Sequence, residues 1–505
     1  MLRSGDRCAG FQYSDRSAAW EAESEGSADA EAEFLAMLLR KQQFDFGYHN
    51  KLHRKSRYMV RIRFSGSSAD RRSSTSLSRQ MTVHVRTQRS ECPFVHMNST
   101  YVLPDTPAAV LPAAETVSVT ETPLQIAQRL ATTFAVTAAE RDARGGTPKA
   151  ERDALRASGL LAMSIPETHG GLGATWRQTL DVVRTLGRAD SSLGHVFGFH
   201  HLMLATVRLF GSPVQWRAWF EQTARRQWFW GNALNPLDER AVSHSYADWR
   251  EFSGQKSFCS GALDSEMLIA SARDAGTGTL LVAAIPTGRT GISVAEDWNN
   301  IGQRQTDSGT VTLEKVRVEN HEILTEPGPL STPFACLRPL LAQLILTNVY
   351  LSIGESAFND ARHYTLHEAR PWHTSGVQTT AADPYILGQY GEFWAGLEAA
   401  RLLTDRAADR FDAAWTRADA LTDAERGEVA LAVATAKVAA TEIGLTICTR
   451  MFDVAGARAT HGALRLDRHW RNLRTHTLHD PLAYKLREIG EWALTQRYPT
   501  PSFYS

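Results

Sequence analysis

Apolar positions recur at helical spacing from Pro123 onward: Leu124, Ile126, Ala127, Leu130, Phe134 and Ala135 follow an acidic start at Glu121, which predicts an amphipathic helix. Helical patterning continues to about Trp228, broken at 163–173, where Pro166, Gly170, Gly171 and Gly173 force a turn. Between 229 and 319 the period changes. Short apolar runs such as Met267-Leu268-Ile269-Ala270 appear, and Val311, Leu313, Val316 and Val318 partly alternate, so this section reads as β. Long helical patterns return after Pro333, over 341–367, 385–410 and 424–454. The expected fold is mainly α with a middle β domain: an N-terminal helical domain at 119–228, a β domain at 229–330 and a C-terminal helical bundle at 331–505.

The first 118 residues follow neither period. An acidic stretch at 21–33 precedes 51–89, where eleven Lys or Arg face one Asp among clustered serines. Sequence of this kind buries too little apolar surface to offset chain entropy. It is expected to be a disordered or non-native N-terminal extension, with Met81 and Met97 as alternative starts. An Arg- and Ser-rich targeting arm is the competing reading, and the acids near its start weigh against it.

Composition narrows the partners. Lys plus Arg and Asp plus Glu are both 55, a formal net charge of zero, so no overall field favours nucleic acid or an anionic membrane. Cys8, Cys92, Cys259, Cys336 and Cys448 show no CxxC spacing, which fits reduced thiols in the cytoplasm and argues against a zinc or iron–sulfur site. The best apolar stretches, such as Leu280 to Ile285, fall short of the roughly 20 residues a membrane helix requires. A soluble protein is expected.

Several residues suit a phosphate-bearing aromatic cofactor. Arg370, in Arg370-Pro371-Trp372-His373-Thr374-Ser375-Gly376, and Arg458, beside Gly456, each offer a planar fork of donors near glycines that admit an anion. A surface ion pair is the competing reading for both. In Gln255-Lys256-Ser257-Phe258-Cys259-Ser260-Gly261-Ala262, period-2 geometry would put Phe258 and Ser260 on one strand face, a ring to stack on an isoalloxazine and a hydroxyl to bond it. Asn232, at the end of another candidate strand, offers an amide. Ordinary core, strand-end and turn roles compete with each of these readings. Five of the seventeen histidines fall in Gly194-His195-Val196-Phe197-Gly198-Phe199-His200-His201 and His476-Thr477-Leu478-His479-Asp480. Imidazole titrates near neutrality and moves protons; a compact His and carboxylate set for a metal is lacking, so no metal is expected.

Taken together, the helical–β–helical order, Ile165-Pro166-Glu167-Thr168-His169-Gly170-Gly171-Leu172-Gly173 and Asn300-Ile301-Gly302-Gln303-Arg304-Gln305-Thr306-Asp307-Ser308-Gly309 resemble the acyl-CoA dehydrogenase superfamily from about Pro123 to the C-terminus. The segments around His195, Ser260 and His479 resemble its dibenzothiophene monooxygenase and sulfur-acquisition branch. That resemblance implies an acyl-CoA dehydrogenase-like fold with a four-helix C-terminal bundle, in a homotetramer. Reduced FMN would come from a separate NAD(P)H:flavin reductase, O2 would be the co-substrate, and one oxygen atom would pass to a small, organosulfur substrate. By position it implies Phe258, Ser260, Asn232, Arg370 and Arg458 for flavin binding, with His195, Ser260, His479 and Asp480 as the catalytic set. Phe199 stands where the family often has Tyr.

Two other readings stay open. An acyl-CoA dehydrogenase, using FAD, requires a carboxylate base; His476-Thr477-Leu478 holds no acid where many members carry one, and Glu355 and Glu368 are the alternatives. A non-catalytic scaffold or binding protein is the third. No Gly-rich dinucleotide fingerprint follows a strand, which points to reducing power supplied as flavin.

Overall fold

The computed structural model describes residues 121–505, together with the backbone of two antiparallel strands, β1 (Tyr58–Ser65) and β2 (Gln80–Thr87). Apart from those strands, the expectation for 1–118 lies outside the described residues.

The chain from Ser118 onward forms one unit. Its first helix, α1 (Pro123–Ala135), starts where the pattern predicts, with a capping box between Thr122 and Gln125 and with Ala127, Leu130 and Phe134 turned inward. Two short helices follow, α2 (Ala138–Arg144) and α3 (Lys149–Ala157). The predicted break at 163–173 holds one 3-10 turn (Glu167–His169), another (Leu160–Ala162) precedes it, and Gly170 and Gly173 have positive φ. Then come α4 (Trp176–Ala189), α5 (Ser191–Phe210) and α6 (Pro213–Arg226).

Every residue of α5 except Arg208 is buried, as expected of a helix that is apolar nearly all round. Close packing depends on glycine. A Cβ at Gly194 would stand 2.7 Å from the Gly187 Cα and 2.9 Å from its nitrogen, both on α4.

The middle section is a seven-stranded sheet. Strands β3 (Trp230–Ala233), β4 (Val242–Ser245), β5 (Trp249–Lys256), β6 (Met267–Asp274), β7 (Leu280–Pro286), β8 (Ile292–Val294) and β9 (Val311–Glu319) take the order β3-β6-β4-β5-β9-β8, with β7 also on β6. β3 runs parallel to β6, in register from Trp230↔Met267 to Ala233↔Ala270. Phe252, Leu268, Ile285, Val311, Leu313, Val316 and Val318 form its apolar core.

Three long helices, α7 (Leu337–His367), α8 (Pro384–Arg417) and α9 (Asp423–Ala455), pack together, and the shorter α10 (Asp467–His476) and α11 (Leu482–Thr495) close on α9, α10 touching α7 as well. Residues 337–355 of α7 are all buried, because this helix packs on α4 and α5 as well as on α8 and α9. One expectation changes here: α9 is long and apolar enough to cross a membrane by length and composition. More than half of that stretch is buried within the protein, and Lys437 and Glu442 interrupt its alanines and aliphatic residues, which is why it does not read as a long apolar run.

The α4–α5 contact generates a test. Gly194→Ala should lower unfolding stability by about 1–3 kcal/mol, the usual cost of forcing an extra methyl into a packed interior. Gly490→Ala on α11 meets nothing within 4 Å and should be neutral or stabilising by up to about 1 kcal/mol. Urea denaturation of the two variants reads the difference.

Candidate functional site

Three loops are stitched together at the edge of the sheet. The Asn232 N–H donates to the Ser260 carbonyl (3.0 Å), the Gly261 N–H to the Thr306 carbonyl (2.9 Å) and the Cys259 N–H to the Gly309 carbonyl (3.1 Å). Arg152, wholly buried on α3, anchors two of them: it donates to the Gly261 carbonyl at 3.0 Å, pairs with Asp307 at 3.2 Å and lies 4.2 Å from the Phe229 ring centroid. The Gln303 N–H donates to Asn472 Oδ1 at 2.7 Å, which joins the third loop to α10.

On this frame the structure brings His195 and Ser260 together, Nε2 to Oγ at 2.9 Å. Ser260 Oγ continues to Ser308 Oγ at 2.8 Å, Ser308 to Thr306 Oγ1 at 2.7 Å, and Thr306 donates to the Gln303 carbonyl at 3.0 Å. The His195 ring is stacked on Phe199, with centroids 4.0 Å apart, and lies 4.7 Å from the His476 ring. Both imidazoles are buried, and Nδ1 of each has no hydrogen-bond partner. Buried polar atoms are nearly always satisfied, so these two nitrogens mark where a bound molecule belongs.

His479 and Asp480 are also together, Nδ1 to Oδ1 at 3.2 Å. Asp480 forms a buried ion pair with Lys437 of α9, which also donates to Gln343 Oε1. The Tyr350 hydroxyl donates to the His476 carbonyl at 2.9 Å, and the His479 N–H to the same carbonyl at 3.0 Å. The turn between α10 and α11 is thus held from α7 and α9.

Electrostatics keep the interior neutral. Burial, assisted by His479, pushes the His195 pKa down to about 3; burial, with Arg152 and Arg156 nearby, takes His200 to about 3 as well, and burial beside His195, His479 and Lys437 holds His476 well below the ordinary value. Burial would raise the Asp480 carboxyl, yet the hydrogen bond from His479 and the Lys437 ammonium outweigh it and hold the group below the usual carboxylate range. Glu355, a candidate base, is paired with Arg188 at 2.5 Å and Arg401 at 2.9 Å; Glu368 is exposed just past α7. Among the described residues no group of His, Cys, Asp and Glu is disposed to hold a metal ion.

Other expected residues stand differently. Phe258 and Ser260 do not share a strand face: β5 ends at Lys256, Phe258 has a φ of 58°, and the Ser260 N–H folds back to the Phe258 carbonyl at 3.0 Å. This tight turn leaves the Phe258 ring 59% exposed, edge-on to Trp298 at 6.0 Å, while Ser260 is buried. The Asn232 Oδ1 accepts from the Leu234 N–H at 3.1 Å, a local turn bond that leaves its Nδ2 free to point elsewhere. Arg370 lies in the α7–α8 connection and Arg458 in the turn after α9; both are exposed, and their guanidiniums bond no described residue. They are not brought against Ser260. Sequence reasoning missed Lys437, Ser308 and Thr306 as members of the group; the hydroxyls lay in the quoted 300–309 motif, whereas nothing local marks Lys437.

With this geometry in view, comparison with known proteins is informative. Acyl-CoA dehydrogenase, N-terminal domain, matches residues 124–227, and acyl-CoA dehydrogenase, C-terminal domain, matches 344–483. A probable FMNH2-dependent monooxygenase from Pseudomonas putida is 66% identical over 383 residues, 76% of this chain and 97% of the relative. The solved methanesulfinate monooxygenase of Pseudomonas fluorescens is 65% identical with a TM-score of 0.76, covering 76% of this chain and all of that one. The dibenzothiophene monooxygenase of Paenibacillus sp. A11-2, solved with FMN, is 42% identical with a TM-score of 0.73 over 76% of this chain and all of its own.

The buried imidazoles set a pH dependence. Since the native pKa values of His195 and His200 lie at about 3 and the unfolded value is about 6.5, only the unfolded state gains these protons as pH falls below 6.5. Stability is therefore full above pH 6.5 and drains away toward pH 3. Between pH 7 and 5 each of the two should cost on the order of 2 kcal/mol. A thermal melt at both pH values should show a clear drop at pH 5, and an equal Tm would mean that these rings are not held neutral.

Proposed function

Because the chain belongs to the acyl-CoA dehydrogenase family and shares two-thirds of its aligned residues with an FMNH2-dependent member, we propose that it is a two-component monooxygenase that uses reduced FMN and O2 to oxygenate a small organosulfur substrate. One observation carries the choice over desaturation: in a site with two unpartnered buried imidazole nitrogens, the candidate base Glu355 and the site's own Asp480 are both ion-paired, and the other candidate, Glu368, is exposed just past α7. A paired carboxylate is a poor acceptor for a proton next to a carbonyl.

The residues fit a flavin. The unpartnered Nδ1 atoms of His195 and His476 and the hydroxyl of Ser260 offer polar contacts, the exposed Phe258 ring offers a stacking face, and the free guanidiniums of Arg370 and Arg458, apart from Ser260 within one copy, suit the phosphate of a flavin held by a second copy. Bound reduced FMN supplies two electrons and activates oxygen. Around it, Phe199 closes the His195 side with an apolar ring, which excludes water from the reacting atoms. His479, 41% exposed and bonded to Asp480, stands between solvent and the interior, where it would relay protons within the reaction, which takes up none overall. Lys437 keeps Asp480 ionised and so keeps His479 in place.

Sulfinates and thiophenes, the substrates in the names of the two solved relatives, define the substrate class. A separate NAD(P)H:flavin reductase provides the reduced flavin. Tyr385, Leu387, Trp394 and Leu402 leave a series of large apolar side chains exposed on α8, which supports a homotetramer in which a second copy covers them. The buried thiols of Cys259, Cys336 and Cys448 suit the cytoplasm.

Incubation with a flavin reductase, FMN, NADH and methanesulfinate or dibenzothiophene should yield oxygenated product; bleaching of bound FAD by an acyl-CoA in the absence of such product would establish the dehydrogenase instead. His479→Ala should lower oxygenation by about 10²-fold, the usual scale for a lost proton carrier, while flavin affinity stays within about threefold. Arg458→Ala should do the reverse and weaken FMN binding by about 1.5–3 kcal/mol. Equilibrium titration against FMN beside a turnover assay separates the two roles.

A further inference from the structure

The hydroxyl chain beside His195 has a direction. A carbonyl oxygen carries no hydrogen, so the 3.0 Å contact between Thr306 Oγ1 and the Gln303 carbonyl commits the Thr306 proton. The same oxygen takes the Trp298 Nε1–H at 2.7 Å and the Thr306 N–H at 3.2 Å, which makes it a fixed sink for donors. Thr306 Oγ1 must then accept at its 2.7 Å contact with Ser308, and that spends the Ser308 proton. Ser260 in turn donates to Ser308 at 2.8 Å and accepts from His195 Nε2 at 2.9 Å. A neutral imidazole has one N–H, and burial keeps His195 neutral. With the proton on Nε2, the buried and unpartnered Nδ1 is a bare lone pair.

We propose that this one-way chain, anchored on the Gln303 carbonyl, makes His195 Nδ1 and Ser260 Oγ hydrogen-bond acceptors and thereby selects reduced flavin over oxidised flavin. The inference rests on the flavin reading above. Reduction turns bare nitrogens of the isoalloxazine into N–H donors. An edge of acceptors satisfies those donors, whereas the oxidised ring sets lone pair against lone pair and leaves a buried acceptor unmet. The preference for the reduced cofactor is then built into residues that need not touch it, since Thr306 and Ser308 act as positioning residues through Ser260.

The test compares affinities of the full-length protein for oxidised FMN and, under anaerobic conditions, for reduced FMN. The wild type should favour the reduced form by at least about tenfold, equivalent to raising the midpoint potential of the bound two-electron couple by about 30 mV. Thr306→Val keeps the shape but frees the direction of the chain, and the ratio should fall below about threefold; Ser308→Ala cuts the next link and should do the same. Thr306→Ser keeps the hydroxyl and should keep the wild-type ratio. A wild-type ratio near one, an unchanged ratio in both chain-breaking variants, or loss of the ratio in Thr306→Ser overturns the proposal while flavin binding stands. Absence of binding in either redox state overturns the flavin reading itself, and this proposal with it.

Discussion

Helix α5 has no face turned to water, and the rest of the site follows from that constraint. A polar side chain on such a helix must find its partners within the protein or be left unsatisfied. His200 does so twice, bonding the Leu161 carbonyl at 2.8 Å and accepting the Trp230 N–H at 3.1 Å, and so ties the turn after α3 to β3. His201 bonds Ser164 at 2.7 Å through Nδ1 and leaves Nε2 without a partner, its ring enclosed by Phe197 and His200. His195 is the histidine of the helix that faces the loop after β5, bonded on one nitrogen to Ser260 and without a partner on the other. Burial keeps all three rings neutral, and what distinguishes His195 is its partner, the hydroxyl chain that starts at Ser260.

Charge in this region is held in pairs. Arg152 meets Asp307, Arg188 and Arg401 meet Glu355, and Lys437 meets Asp480. Abstraction of a carbon-bound proton calls for a carboxylate with a free lone pair near neutrality, and such pairing removes that option from Glu355 and Asp480. A scaffold shared with dehydrogenases is in this way left with imidazoles and hydroxyls facing the interior, groups that hydrogen-bond and relay protons without adding net charge.

Much of this was legible in the chain. The change of period at about 229 and again after 333 marks the passage from helices to sheet and back, because side-chain burial follows 3.6- and 2-residue repeats wherever an element has one buried face. Pairs adjacent in sequence, such as His479 with Asp480, were legible for the same local reason. Phe258 and Ser260 were not placed correctly, since a residue at positive φ breaks the alternation on which the strand reading depended. Lys437 was hidden more deeply: it sits in the alanine-rich middle of a helix whose other cations are Arg426 and Arg450, and its partners Gln343 and Asp480 lie 94 and 43 residues away. Periodicity identifies a core face but carries no record of which distant groups meet on it. Arg370 and Arg458 show the converse, for residues suited to one ligand need not meet within one copy of the chain.

The Lys437–Asp480 pair also shows why a polar interaction is kept where an apolar one would serve stability better. Removing two charges from water costs several kcal/mol per ion, and well-packed hydrophobic residues often replace such pairs without loss. What hydrophobic packing would not supply is direction. The stretch from the end of α10 to α11 carries His476 and His479, and it is fixed at the His476 carbonyl by the Tyr350 hydroxyl and at Asp480 by Lys437. A slip there would withdraw the His476 ring from its place 4.7 Å from His195. The buried pair is best understood as the pin that sets one wall of the site against the other, at a cost in stability that the large apolar core can absorb.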